Sequence, residues 1–171
     1  KTYTWTYEDC TGATADYVYT YTINAPTFSL PAPGGSNVTC VGDAQTPPPP
    51  PAVFNSCNTQ IIPTGPVEGA DPVCDGPKTY TWTYEDCDGT SLDWVYTYTI
   101  AAPTFTLPSN DGTTVACIAD AQVPPAPPAV TNSCGDAVIP TGPVEGADPV
   151  CSGDKTYTWT YEDCAGGTVD W

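Results

Sequence analysis

Nine cysteines, at positions 10, 40, 57, 74, 87, 117, 134, 151 and 164, are the residues best suited to covalent chemistry. No histidine accompanies them, and no Cys-x-x-Cys pair of the metal-binding kind occurs. A thiol without a neighbouring base lacks the activation that nucleophilic catalysis needs. The chain also has no arginine, so no bidentate clamp for an anion can be built. Thiols in this number, in 171 residues, point instead to disulfides formed in an oxidising compartment. The reading is of a protein that is not an enzyme and has no catalytic residue.

A second group of possible ligands is hard rather than soft. Glu85, Asp86, Asp88 and Asp93 surround one short stretch, and carboxylates gathered there are of the type that binds Ca²⁺. The register of a calcium loop is missing, and Asp88 is matched by Thr11 and Ala165 elsewhere in the chain. A solvated turn is the plain alternative. Glu85 and Asp86 are adjacent, so on a strand they face opposite ways and make a poor acid–base pair. Calcium at these four residues is the only cofactor the sequence suggests.

Twenty acids against three lysines give a net charge of −17. Nucleic acid and anionic membrane surfaces would be repelled. No segment has the length of unbroken apolar sequence that a membrane span requires. There is no signal peptide and no initiating methionine. The chain opens on a strand-like segment and stops at Trp171, the match of Trp94, just before the counterpart of Val95–Ile100. An internal piece of a longer repeating protein is expected.

The elements that must carry these residues repeat. Lys-Thr-Tyr-Thr-Trp-Thr-Tyr-Glu-Asp-Cys occurs unchanged at Lys1–Cys10, Lys78–Cys87 and Lys155–Cys164, a period of 77 residues. Its alternation of aromatic and threonine residues is a strand pattern. Thr2–Tyr7 and Tyr17–Ile23 are expected to pair, as are Thr79–Tyr84 and Trp94–Ile100. Thr27–Leu30, Asn37–Val41 and Ile61-Ile62 read as shorter strands. Pro47–Pro51 reads as polyproline or an edge segment, since proline cannot feed a sheet ladder. Pro63–Cys74, repeated at Pro140–Cys151, reads as an irregular loop. No helix is expected. Residues 1–24 are assigned as the closing hairpin of one unit, 25–101 as a complete unit, and 102–171 as a second unit lacking its last strand. The fold class is all-β: a tandem array of small, immunoglobulin-like, disulfide-stapled sandwiches.

A complete unit holds Cys40, Cys57, Cys74 and Cys87, which can pair in three ways. In an immunoglobulin sandwich Cys57 and Cys87 share one end and Cys40 and Cys74 fall near the other. Bridges Cys40–Cys74, Cys57–Cys87, Cys117–Cys151 and Cys134–Cys164 are therefore expected, with Cys10 unpaired. Each would close a loop of roughly 30–35 residues, worth about 3–4 kcal/mol.

Other features have plainer readings. The stripes Thr79, Thr81, Thr83 and Thr97, Thr99 are like ice-binding arrays, but threonine also suits the wet face of any strand. Tyr80, Trp82, Tyr84 and Trp94, Tyr96, Tyr98 suit a core, although exposed rings could stack on sugars. Asn37-Val38-Thr39 fits the glycosylation pattern, whereas the second copy has Thr114 in place of the asparagine.

The order Thr-Val-Ala-Cys117, proline run, Val-Thr-Asn-Ser-Cys134, Thr-Gly-Pro-Val-Glu-Gly and Lys155–Cys164 resembles the HYR-like, immunoglobulin-type repeats of giant Bacteroidota surface adhesins, the gliding-motility adhesins among them. The resemblance spans the chain. It implies export by a type IX system, an extracellular place on the cell surface, and service as a stalk in adhesion or gliding. The implied partners are neighbouring repeats of the same chain, other copies in a filament, and a surface or polysaccharide ligand reached through other regions. The alternatives are a carbohydrate-binding module and a self-assembling matrix filament.

Overall fold

The computed structural model describes residues 1–171 and is all-β apart from two short 3₁₀ turns. The strands are β1 (Thr2–Glu8), β2 (Thr14–Thr20), β3 (Gly34–Val38), β4 (Val53–Phe54), β5 (Gln60–Ile61), β6 (Thr64–Glu68), β7 (Gly76–Glu85) and β8 (Ser91–Ile100). They continue with β9 (Val130–Thr131), β10 (Ala137–Val138), β11 (Thr141–Glu145), β12 (Tyr157–Glu162) and β13 (Thr168–Asp170). The 3₁₀ turns are Val41–Ala44 and Ile118–Ala121, where no helix was expected.

Within residues 25–101 one sheet has the order β3-β8-β7-β6. The long hairpin β7–β8 pairs in unbroken antiparallel register from Gly76↔Ile100 to Glu85↔Ser91. Period-two alternation then sends Lys78, Tyr80, Trp82 and Tyr84 to one face, where all four are buried. Val53, Ile61, Tyr80, Trp82, Tyr84 and Trp94 form the core, with Phe28 and Leu30 packed against it. The opposing layer consists of the small β4–β5 hairpin and the proline-rich segment. Prolines lack an N–H but keep their carbonyls, and the tyrosines of the sheet donate to the carbonyls of this segment, one of them a proline's. Tyr84 Oη donates to Pro51 O at 2.5 Å, and Tyr80 Oη to Ala44 O at 2.8 Å. Tyr98 Oη reaches Thr46 O at 3.0 Å. A polyproline segment thus closes the sandwich where a fuller second sheet would otherwise lie.

Three local expectations are corrected. Pro63–Cys74 is not wholly irregular, because Thr64–Glu68 joins β7 as an edge strand. The register slips between Thr64 and Val67, at Gly65-Pro66, which absorbs the proline in a bulge. The second strand begins earlier than expected, at Gly34, and runs parallel to β8. Thr27–Leu30 forms no strand. Its Thr27 exchanges bonds with Ser56, N–H to Ser56 Oγ at 3.1 Å and carbonyl from Ser56 N–H at 2.8 Å.

Residues 102–171 repeat this plan in part, with the sheet order β11-β12-β13, no strand matching β3, and Val130, Trp159 and Tyr161 buried. Residues 1–24 form the β1–β2 hairpin alone. No hydrogen bond, ion pair or disulfide ties it to the remainder.

Candidate functional site at the joint between repeats

The two disulfides cross from one repeat to the next. Cys40 bonds to Cys134 and Cys74 to Cys164. The expected bridges Cys40–Cys74 and Cys134–Cys164 do not form, and Cys57, Cys87, Cys117 and Cys151 are free thiols, as is Cys10. The cause is the direction of β3. Because β3 runs parallel to β8, Val38 arrives beside Ile100, and Ala101 N–H donates to Val38 O at 3.1 Å. Cys40 is therefore delivered to the end of the sheet from which the chain enters residues 102–171. Cys74 precedes Gly76, which pairs with Ile100 at that same end. The turn of the β7–β8 hairpin, bearing Cys87, is at the opposite end. Its match in the second repeat bears Cys164 and meets the exit end of the first. The cysteines are grouped by end, and the bonds run between ends of successive repeats.

Each half of the joint has its own scaffold. At the exit end, Lys78 is buried at 3 % exposure. Its Nζ lies 2.8 Å from Asp71 Oδ1 and 3.4 Å from Glu68 Oε2, and donates to Gly69 O at 2.8 Å. Gln45 Nε2 donates to the same Asp71 oxygen at 3.2 Å and to Val41 O at 3.0 Å. Lys78 thus holds the loop before Cys74, and Gln45 fastens that loop to the 3₁₀ turn that follows Cys40. A charge so buried requires partners. The Asp71 bond holds the Lys78 ammonium above its ordinary pKa, and the Lys78 bond, then Gln45, holds Asp71 below the usual carboxylate range. The sequence reading missed this pin. Its signal was that a chain with three lysines places each one at the same position of the repeated decapeptide.

At the entry end, both cysteines sit on one kind of turn. Asn132 Oδ1 accepts from Cys134 N–H and Asp136 N–H, each at 2.9 Å, and Gly135 takes φ 86°. Asp163 Oδ1 accepts from Ala165 N–H at 2.9 Å and Gly167 N–H at 2.7 Å, and Gly166 takes φ 86°. An acid or amide that caps its own turn, followed by a residue in the left-handed region, defines both. Asn-Ser-Cys and Asp-Cys-x-Gly, dissimilar as strings, are one geometry. Around it lies a cleft lined by Asn132, Asp136, Asp163 and Cys164, which places the two turns side by side.

The expected calcium ligands are not gathered. Asp93 Oδ1 accepts from Thr83 Oγ1 at 2.6 Å, Asp88 Oδ1 from Thr90 N–H at 2.9 Å, and Asp86 Oδ1 from Cys87 N–H at 2.6 Å. Glu85 is exposed, and no three acidic or thiol groups converge to hold an ion. Asp93 instead accepts across the β7–β8 pair and Asp86 and Asp88 within its turn, while Asp86 Oδ2 is buried with no partner. Asp86 is itself buried, and its carboxylate pushes the neighbouring Cys87 thiol up. Tyr80, Trp82, Tyr84 and Trp94 face the core, so within 25–101 they offer no platform for sugars. Thr79, Thr81, Thr83 and Thr97 are half-buried, and Asn37 is exposed on the edge strand β3. No helix is long and apolar enough to cross a membrane.

A family model described as an HYR-like domain with four cysteines matches residues 1–23, 28–100 and 105–171. No curated protein and no solved structure matches the chain significantly.

Proposed function

The chain belongs to the family of HYR-like domains with four cysteines, and from that membership we propose that it is a length of stiff extracellular stalk in a very large bacterial surface adhesin. HYR-like domains are extracellular, non-catalytic repeat modules, and tandem copies give a thread whose mechanics depend on its joints. The observation that carries the reading is the pair of disulfides across the joint, Cys40–Cys134 and Cys74–Cys164. A bridge within a repeat strengthens that repeat alone. Two bridges between repeats remove the hinge that a short link would otherwise provide. The net charge of −17 keeps such a thread soluble and extended. The resemblance to gliding-motility adhesins of Bacteroidota extends the proposal to adhesion or gliding after type IX export.

Single-molecule extension tests this directly. Under tension the bridges short-circuit most of the polypeptide: only residues 1–40, one arm such as Cys134–Cys164, and 164–171 can lengthen. The oxidised chain should then unfold to less than half the contour of the reduced chain. Equal contour lengths in the two states would reject the stalk mechanism.

A further inference from the structure

The five free thiols are not scattered. Shifted by the 77-residue period, Cys117 and Cys151 match Cys40 and Cys74, the bonded pair of an exit end. Cys57 and Cys87 match Cys134 and Cys164, the bonded pair of an entry end, and Cys10 matches Cys87 one period earlier. The side-chain networks are present as well, although residues 111–115 form no strand matching β3. Lys155 Nζ meets Asp148 Oδ1 at 2.7 Å and Glu145 Oε2 at 3.4 Å, and donates to Gly146 O at 2.8 Å. Gln122 Nε2 donates to Asp148 Oδ2 and Ile118 O, each at 3.3 Å. Cys117 and Cys151 are thus held by the same network as Cys40 and Cys74, although nothing is bonded to them. At the other end, Asn55 Oδ1 accepts from Cys57 N–H at 3.1 Å and Thr59 N–H at 3.0 Å. Asn58 (φ 59°) and Gly89 (φ 86°) supply the left-handed residues of the Cys57 and Cys87 turns. Both unbonded faces are exposed.

We infer that Cys117 and Cys151 form an exit socket, and Cys57 and Cys87 an entry plug, for another repeat of the same kind, joined by the bridges Cys117–Cys57 and Cys151–Cys87. A second copy of this chain supplies that repeat. Hairpin 1–24, which precedes the plug in the second copy, is held by no bond to residues 25–171 and can move aside. Each bridge removes two thiol hydrogens and two electrons. A disulfide donor such as oxidised glutathione takes them, through a mixed disulfide, and leaves as two thiols.

The inference deepens the stalk reading and rests on it, and its mechanical consequence is large. With every joint doubly bonded, a covalent path runs from Cys74 across to Cys164, back along the chain to Cys151, and across again. The peptide on that path between bridges, Cys151–Cys164, is ~13 residues and spans at most about 45 Å when fully drawn out. An array of such repeats has almost no hidden length to release, even if every sandwich unfolds.

Two capped variants test the pairing. Cys10→Ser/Cys117→Ser/Cys151→Ser keeps only the plug, and Cys10→Ser/Cys57→Ser/Cys87→Ser keeps only the socket. Each is oxidised alone and in equal mixture in a glutathione buffer, run on a non-reducing gel, and digested for disulfide mapping. Each variant alone should remain monomeric, whereas the mixture should give a covalent dimer carrying Cys117–Cys57 and Cys151–Cys87. Dimers of either variant alone, closure of Cys57–Cys87 or Cys117–Cys151 within a chain, or thiols that all remain alkylatable in the mixture would overturn the inference. In each variant the bridges Cys40–Cys134 and Cys74–Cys164 are mapped as well. Their presence alongside a failed dimer sinks the plug and socket alone, while their absence sinks the stalk reading.

Discussion

Hairpins Lys1–Ile23 and Lys78–Ile100 begin with the same ten residues and lead different lives. Both pair antiparallel in the same register, Trp5 opposite Tyr17 and Trp82 opposite Trp94. Yet Tyr3, Trp5 and Tyr7 are 39 %, 48 % and 64 % exposed, whereas Tyr80, Trp82 and Tyr84 are at 0 %, 3 % and 0 %. Pairing is thus a local property of the alternating sequence and its Asp-x-x-Gly turn. Burial is conferred by residues 28–61, which lie across the second hairpin and not the first. Lys78 follows the same division: it is locked to Asp71, while Lys1 only overlies the Tyr3 ring at 4.9 Å.

Matched substitutions in the two hairpins separate what pairing contributes from what burial contributes. The largest expected effect is at the joint. Cys164→Ser removes a bridge closing 90 residues, worth about 4–5 kcal/mol through the entropy of the unfolded chain. Cys10→Ser, at the matching position, should leave denaturant midpoints unchanged. Next, Trp82→Ala should cost about 3–5 kcal/mol by opening a cavity in the core. Trp5→Ala should cost less than about 1 kcal/mol in the same urea titration, since its ring is half in water. Smaller again is Tyr84→Phe, which strands Pro51 O without its donor and should cost about 1 kcal/mol, against none for Tyr7→Phe.

The smallest effect is that of pH. Asp71 has a lowered folded-state pKa, so its contribution is complete above the ordinary carboxylate pKa and is lost as pH falls through the lower folded value. Lys78 is raised, so its contribution is complete below the ordinary lysine pKa and fades as pH climbs through the higher folded value. Thermal unfolding should therefore soften at both extremes. Lys78→Gln should flatten that dependence, and Lys1→Gln should leave it as it is. Asp71 is about half exposed, so solvent screening keeps the shift modest.

The same division explains what could be read without a structure. Strands β1, β2, β7 and β8 announce themselves because period-two alternation is written in consecutive residues. The all-β class follows from them. β6 was hidden because a strand carrying Gly65-Pro66 looks like a turn, and only its pairing with Thr81 and Thr83 makes it a strand. β3 was misplaced because Gly34 and Gly35 have no propensity for a sheet. Both glycines lie close against β8, Gly34 beneath the Tyr96 and Trp94 rings, where a Cβ would collide. The cysteine pairing was lost at the same point. Its solution depends on the direction of β3, a long-range fact that neither spacing nor composition carries, and on a neighbour one period away. The acidic residues 85–93 were conspicuous by type, yet their donors are backbone amides and hydroxyls, which a list of charges does not display.

The most direct test of the account is the disulfide map of the oxidised chain, cleaved at acidic residues without reduction. The flanks of Cys74 (Val-Cys-Asp) and Cys151 (Val-Cys-Ser) differ, as do those of Cys87 and Cys164, so every pairing can be told apart. The structure predicts peptides joined as Cys40–Cys134 and Cys74–Cys164. Peptides joined as Cys40–Cys74 and Cys134–Cys164, each within one repeat, would contradict it.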